Sequence, residues 1–412
     1  MGSITRGNVK MALASVRSTK WRSLLTMLGI IIGIVSVVMV VGIGEGVKQE
    51  VAGELSQFGK DLITVRPGNV KDNHGRVISN TDLLFGVNSI SGLTQNDLQT
   101  VQQSQDVRLA APLSVIPGTL AGTNNRTLGD GLVIATNADL PGAINQKVDF
   151  GAFFSSDDNN NNVAVIGSSA ATSLFDESVP LGRTFTFRGQ QFIVRGIFNE
   201  FKSTPLSPVA NFNNAIFIPY GTAQRLTNNS SQIYSIFTKP DKPENAAVAI
   251  HAISANLLRA HGNEHDFSVL NQQQSLDASS NVLGLITTMI AAIAGISLLV
   301  GGVGIMNIML ASVTERMHEI GVRKAIGATN RQILNQFVLE AAVLSIVGGV
   351  LGVIISIFGV LGMRTYTDLK PVISWQAVVV ATLASLIIGI VFGAAPAIKA
   401  ASKDPIEALR HE

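Results

Sequence analysis

Val282 to Val313 reads VLGLITTMIAAIAGISLLVGGVGIMNIMLASV, with Asp277 before it, Glu315 after it and no charged side chain between. A bilayer core needs about 20 mostly apolar helical residues, and beyond roughly 18 a buried soluble helix becomes the poorer reading. This stretch exceeds both limits, and at about 1.5 Å per residue its helix should outrun the membrane. Working outward, Leu24 to Ile43, Ala341 to Met363 and Ala377 to Pro396 are also uncharged. Composition agrees, with 46% hydrophobic and 14% charged residues, against about 25% charged in soluble domains. The fold expected is membrane α-helical, with four transmembrane helices at 24–44, 282–313, 337–363 and 375–396. One large domain, 45–281, lies between the first two. The first helix continues through Glu45 to Glu50 toward Leu55, so it reads as a stalk, like the long second helix.

Lys and Arg in short flanking segments set orientation. Arg6, Lys10, Arg17, Lys20 and Arg22 precede the first span without an acidic residue. Arg316, Arg323, Lys324 and Arg331 lie between spans two and three, and Lys399, Lys403 and Arg410 follow span four. The loop 364–374 has only Arg364 and Lys370 as basic residues. These counts place segment 1–23, loop 314–336 and tail 397–412 in the cytoplasm, and 45–281 outside. The chain is expected to be a multi-pass membrane protein with both termini cytoplasmic; that the membrane is a bacterial plasma (inner) membrane is what the family resemblance given below implies. The first span reads as an uncleaved signal anchor, since it is long for a signal peptide and no A-x-A-like site follows.

The spans contain almost no ionisable residue; Glu340, at the cytoplasmic mouth of the third, comes nearest. Ion filters, proton relays and ion-coupled carriers need intramembrane charge, so those classes are disfavoured. Gly29/Gly33, Gly348/Gly352 and Gly389/Gly393 have the spacing that lets helix backbones approach closely. They fit packing within the bundle or across a dimer, and also the plain abundance of glycine in membrane helices. No G-x-x-x-x-G-K-[ST] string occurs; Gly53 to Asp61 has the wrong spacing and ends Gly59-Lys60-Asp61. No catalytic, metal or cofactor-binding residue is therefore assigned to this chain. His261 and His265 flank Glu264 and Asp266, but Gly262 and Asn263 make this a turn, read as a solvated loop. Cysteine is absent, which removes disulfides and thiolate metal sites, and a net charge of +2 gives no reason to expect nucleic acid.

The exported domain reads as α+β. Asp61 to Val65, a helix over Thr94 to Ser104 with a Thr94–Asp97 capping box, and Arg108 to Ile116 form one β-α-β piece. Ile233 to Thr238, a helix over Pro243 to Ala260, and Phe267 to Leu270 form a second. Both adjoin the stalks, so they are expected to pack together as an α/β membrane-proximal subdomain. The middle, about 119–220, reads as a mostly β tip subdomain. Within it Thr184 to Phe187 and Gln191 to Val194 flank Arg188-Gly189 as a hairpin. Asp157 to Asn162 reads as a mobile polar loop.

The loop between spans two and three reads Thr314-Glu315-Arg316-Met317-His318-Glu319-Ile320-Gly321-Val322-Arg323-Lys324-Ala325-Ile326-Gly327-Ala328. A helix here would put Glu315 and Glu319 on one face, with Arg316 and Lys324 two turns apart. Ile320 beside the small residues Gly321, Ala325 and Gly327 leaves room for close docking. A charged helix lying at the lipid surface fits the same residues. The string is similar to the coupling-helix motif of the MacB/FtsX-like permeases of ABC transporters, a T-E-R-x-x-E-I-G-[IV]-R-x-A-[IVL]-G-A pattern. Lys20 to Gly33 and Ile43 to Gly46 resemble that family's first helix. Pro396 to Arg410 resembles its P-A-x-x-A-A-x-x-D-P-[IV]-E-A-L-R tail. Val163 to Gly167, Pro180 to Arg183 and Ile218 to Tyr220 resemble the MacB-type exported domain. The departures are small: Lys324 stands where Met or Lys is usual.

The resemblance implies a non-catalytic permease that docks a separate ABC ATPase subunit, which would carry ATP and Mg. Docking would run through Glu315, Arg316, Glu319, Ile320, Gly321, Arg323, Lys324, Ala325, Gly327 and Ala328. It also implies a second permease copy as homodimer partner, an extracytoplasmic adaptor protein, and transmission of ATP-driven motion to the exported domain. The work would be export of antibiotics, peptides, lipids or lipoproteins. An FtsX-like signalling module activating an extracytoplasmic enzyme is the alternative, and the size of the exported domain favours the MacB type. A membrane-anchored receptor without an ATPase is a third reading that the loop motif disfavours.

Overall fold

The computed structural model describes residues 20–68, 92–122, 128, 131–202 and 211–404. The basic residues Arg6, Lys10 and Arg17 and the end of the tail motif, 405–410, lie outside them. The chain divides into two compact units, one of Met1–Gly46 with Gly284–Glu412 and one of Val47–Leu283.

In the first unit, the helix α1 (Lys20–Ser56) runs unbroken through its apolar part into the Glu45–Leu55 extension. Four helices described here are long and apolar enough to cross a membrane, including a 44-residue one over Gln272–Glu315. At about 1.5 Å per residue that helix is about twice as long as a roughly 30 Å hydrocarbon core, as its sequence requires. Each of these helices buries a narrow stripe and leaves apolar side chains exposed around the rest. On Gln272–Glu315 the buried stripe is Ala294, Leu298, Ile305, Met309 and Val313, while Met289, Ile293, Ile296 and Val300 stand outward. In water that face would be a large aggregation surface; in lipid it is the solvated one.

All six glycines of the three spaced pairs face another helix of the same chain, which favours the intrachain reading. A methyl group at Gly29 would stand 2.6 Å from the Cα of Gly301. One at Gly33 would meet the Leu298 side chain, and one at Gly352 would lie 3.0 Å from Cβ of Ile34. Gly348 faces Ile30, Gly389 faces Ser345, and Gly393 faces Ala341.

The second unit is built on one sheet of eleven described strands: β1 (Ile63–Pro67), β2 (Val107–Ile116), β3 (Leu120–Ala121), β4 (Leu132–Thr136), β5 (Val148–Gly151), β6 (Val163–Ile166), β7 (Thr184–Phe187), β8 (Gln190–Phe198), β9 (Ala215–Pro219), β10 (Ser235–Pro240) and β11 (Phe267–Asn271). Their order is β11-β1-β10-β2-β4-β9-β6-β8-β7-β3, with β5 beside β8. The pairs β4/β9 and β6/β8 are parallel and the other named pairs antiparallel.

The two β-α-β pieces pack together as expected. Their helices, α2 (Gln95–Gln102) and α6 (Ala246–Ala260), share one buried cluster, with Leu98 and Val101 beside Ile253 and Leu257. Between them lie α3 (Leu140–Ala143), α4 (Ser168–Phe175) and α5 (Tyr220–Leu226), short helices of the middle segment. That segment is not separate from the first half: β2 pairs with β10 from Val107 to Leu113 and with β4 from Ser114 to Ile116. Along its first part the second edge of β2 has side chains in place of a strand. Ala110 N–H donates to Asp139 Oδ2 at 3.2 Å, and its carbonyl accepts from Asn137 Nδ2 at 2.8 Å. Successive residues present their N–H to opposite edges, so Pro112 faces the same strandless edge as Ala110, and its missing donor costs no ladder bond.

The hairpin is present with a two-residue turn, since Phe187 pairs with Gln190. Arg188 and Gly189 both take positive φ, 50° and 75°, as a type I′ turn requires. Asp157 to Asn162 corrects the expectation of a mobile loop. Ser155 and Asp158 form a capping box, Gly221 N–H donates to Asn159 Oδ1, and Arg225 donates to the Asn160 carbonyl and to Asn162. Short Asn and Asp side chains supply the backbone partners that a featureless polar run would lack.

Candidate functional site: the helix between the second and third spans

Three consecutive elements build the site. Helix α7 (Gln272–Glu315) ends where Arg316 takes φ −103° and ψ 17°, and α8 (Met317–Ala325) starts from it. The hydrogen-bond ladder bridges the break, since Arg316 N–H donates to Ser312 and Ile320 N–H to Arg316. The break separates Glu315 from Glu319, which were expected on one face of a single helix. At the far end Gly327 has φ +103°, and the N–H groups of Ile326, Gly327 and Ala328 bond back to Val322, Lys324 and Arg323. That left-handed residue stops α8 and satisfies its last carbonyls. Thr329 then caps α9 (Asn330–Tyr366) in a box with Gln332.

One face of α8 is turned into the bundle. Ile320 is only 1% exposed and Gly321 is buried. Ile320 clusters with Met309 and Val313 of α7, Ile333 and Phe337 of α9, and Ala397, Ala400 and Ala401 of α10 (Trp375–Ser402). Neither Ile320 nor Gly321 is open to a partner, so the expectation that they form a docking surface is corrected. They hold α8 to its own chain.

Three basic residues of the proposed docking set are also fasteners. Lys324 Nζ donates to the carbonyls of Ala401 at 2.6 Å and Lys403 at 2.7 Å. Those carbonyls close α10, where a helix leaves acceptors unfilled and favours positive charge. Arg316 approaches the carboxylate of Glu340 on α9 at 3.4 Å, and Arg323 donates to Gln336 Oε1 at 3.0 Å. Glu340, buried at 7% exposure, is thus explained by an internal ion pair.

The opposite face is open. Glu319, Ala325 and Gly327 are exposed, and so is Glu315 at the end of α7. With them stand three residues absent from the sequence-derived set: His318, Val322 at 42% exposure and Ile326 at 81%. His318, Val322 and Ile326 succeed one another at i, i+4 spacing, the period that aligns side chains on one helix face. That period, set against inward Ile320, Gly321 and Lys324, was the available signal. Of the small residues in the sequence-derived set, Gly321 lies on the inward side, while Ala325 and Gly327 stand on the open one.

The MacB-like periplasmic core domain matches residues 23–256, and the FtsX-like permease C-terminal matches residues 291–405. A Bacillus subtilis strain 168 protein, described as the uncharacterized ABC transporter permease YknZ, is 35% identical over 98% of this chain and 99% of its own length. The macrolide export ATP-binding/permease protein MacB of Marinobacter nauticus is 34% identical over 98% of this chain. The chain spans 60% of the length of that relative. Among solved structures, the periplasmic region of MacB from Actinobacillus actinomycetemcomitans aligns with TM-score 0.42 and 22% identity, over 55% of this chain and 95% of that one.

Proposed function

This chain belongs to the MacB/FtsX-like ABC transporter permeases, inner-membrane subunits that work with an ATPase, and we propose that the outward face of α8 is where that ATPase docks. The observation that carries the reading is the exposed pair Val322 and Ile326, on a short helix fastened to α9 and α10 by its other face. A helix held this way passes a push from its outer face to the spans instead of rolling. The ATPase is a separate chain that supplies ATP and Mg chemistry, the permease works as a homodimer, and the termini are cytoplasmic. Hydrolysis moves the exported unit, which acts on amphipathic substrates such as antibiotics, peptides, lipids or lipoproteins, with an extracytoplasmic adaptor as a further partner. The match to the MacB-like core domain supports export over an FtsX-like signalling role.

The test is purification of the full chain from its native membrane with assay of ATP hydrolysis in the eluate. Val322→Asp with Ile326→Asp should cut the copurifying activity at least about tenfold, since anchors of this kind carry 1–2 kcal/mol or more each, while insertion and monodispersity hold. Undiminished hydrolysis in a well-folded double variant would remove α8 from the docking surface.

A further inference from the structure

The second unit contains a cleft of about 340 Å3 that the export reading does not use. It is lined by Gln95, Gln99 and Gln102 of α2, by Phe154 and Asn159 on either side of the 3-10 turn after β5, and by Thr136 at the end of β4 and Tyr220 at the start of α5. We propose that this cleft binds an uncharged saccharide of about disaccharide size.

Four observations lead there. The volume is at the small end of ligand pockets, which run from roughly 300 to 1,000 Å3. Among the described residues the only charged one in the lining is Asp139, and its Oδ2 already accepts from Ala110 N–H. The remaining polar groups are side-chain amides and hydroxyls, which both donate and accept, as sugar hydroxyls do. Thr136, 0% exposed, has a buried hydroxyl with no hydrogen-bond partner among the described residues. Buried polar atoms of this kind cost free energy until something satisfies them.

The topology argues against a peptide. An extended peptide binds by adding a strand to an open edge. Here β4 is already paired on both sides, with β2 and with β9, so the cleft offers side chains and no free ladder. Its walls are fixed in advance. The turn carrying Ser155 and Asn159 is held by Asp158, whose pKa is lowered to about 2 by the Ser155 N–H, by the Asn161 and Ser155 side chains and by Arg195, against its burial.

The inference concerns the second unit alone and stands whether or not α8 docks an ATPase. It is tested on the full chain in lipid nanodiscs, without maltoside detergent, by saturation-transfer NMR with N,N′-diacetylchitobiose, cellobiose, maltose and trehalose. At least one should bind saturably. Gln95→Ala with Gln99→Ala, both exposed positions, should raise its Kd at least about fivefold, the value of one lost hydrogen bond. Ala138→Trp, at the exposed rim, should abolish binding with an unchanged melting curve. If Ala138→Trp misfolds, the glutamine pair decides alone. Failure of all four sugars, binding indifferent to the glutamine pair, or binding of N-acetyl-tetraalanine amide in their place would each overturn the assignment.

Discussion

His261 was legible in the sequence as part of a charged turn, and the structure gives it a different role. It closes α6, and its ring lies between two carboxylates, with Nδ1 2.6 Å from Asp266 and Nε2 2.9 Å from Asp97 on α2. Two further bonds tie α6 and its N-cap to the segment between α2 and β2: Asn256 Nδ2 donates to Ser104 Oγ, and Asn245 Nδ2 to Asp106 Oδ1. Burial alone would lower the histidine pKa. The hydrogen bonds to Asp97 and Asp266 and the charge of both carboxylates outweigh it, so the pKa is raised. A group with a raised folded pKa binds more protons in the native state, so its contribution is complete below the unfolded value of about 6.5 and is lost as pH rises through the folded value. Unfolding of the second unit, followed by circular dichroism of the full chain, should therefore show stability falling as pH rises past 6.5. His261→Gln should flatten that slope and lower the stability at pH 6. An unchanged slope in the variant would assign it to other groups.

Among the elements, the membrane helices show what glycine spacing can and cannot reveal. The period marked Gly29 as a contact position, and the contact exists, but the partner is Gly301, in a run where Gly301, Gly302 and Gly304 leave no unique spacing to read. A pattern on one helix says that something comes close, and only the packed bundle says what. The same limit applied to α8, where charge and small residues were visible in sequence but the direction of each depended on the helices behind it. Gly29→Leu would place carbon against the Gly301 backbone, which has no side chain to move aside, so α1 and α7 must separate. Nothing lies within 4 Å of a methyl group added at Gly304, a glycine of the same helix as Gly301. Gly304→Ala should be neutral or stabilising by up to about 1 kcal/mol through helix propensity. Protease resistance of the full chain in nanodiscs should collapse in the first variant and hold in the second. Equal resistance would mean that the α1–α7 approach contributes little.

At the scale of the molecule, the four spans and both β-α-β pieces were readable because each rests on local periodicity. The single sheet was not, because β2 changes partner at Leu113/Ser114 without any change in its own pattern. That continuity bears on how motion would travel if the chain works as proposed. Just past the end of α1, Phe58 packs on Phe212, in the turn before β9, and on Phe237 of β10, with ring centroids 6.1 and 6.4 Å away. Gln57 exchanges two hydrogen bonds with the backbone of Lys202, both at 3.0 Å, and Leu55 accepts from Gln272 Nε2 at 2.7 Å. A displacement of α1 thus reaches both the β10 side and the β9 side of the sheet, provided the helix between them and the membrane is stiff. Two glycines inserted after Gly53, where a side chain would meet nothing within 4 Å, break that stiffness while leaving α8 and its fastenings untouched. The expected result is ATP hydrolysis at its normal rate with export reduced at least about tenfold, because each inserted glycine costs about 1 kcal/mol of helix and frees the backbone to bend. Export at the normal rate would show that the stalk need not be rigid, and the second unit would then have to respond through α7 or by a route that does not pass through a helix at all.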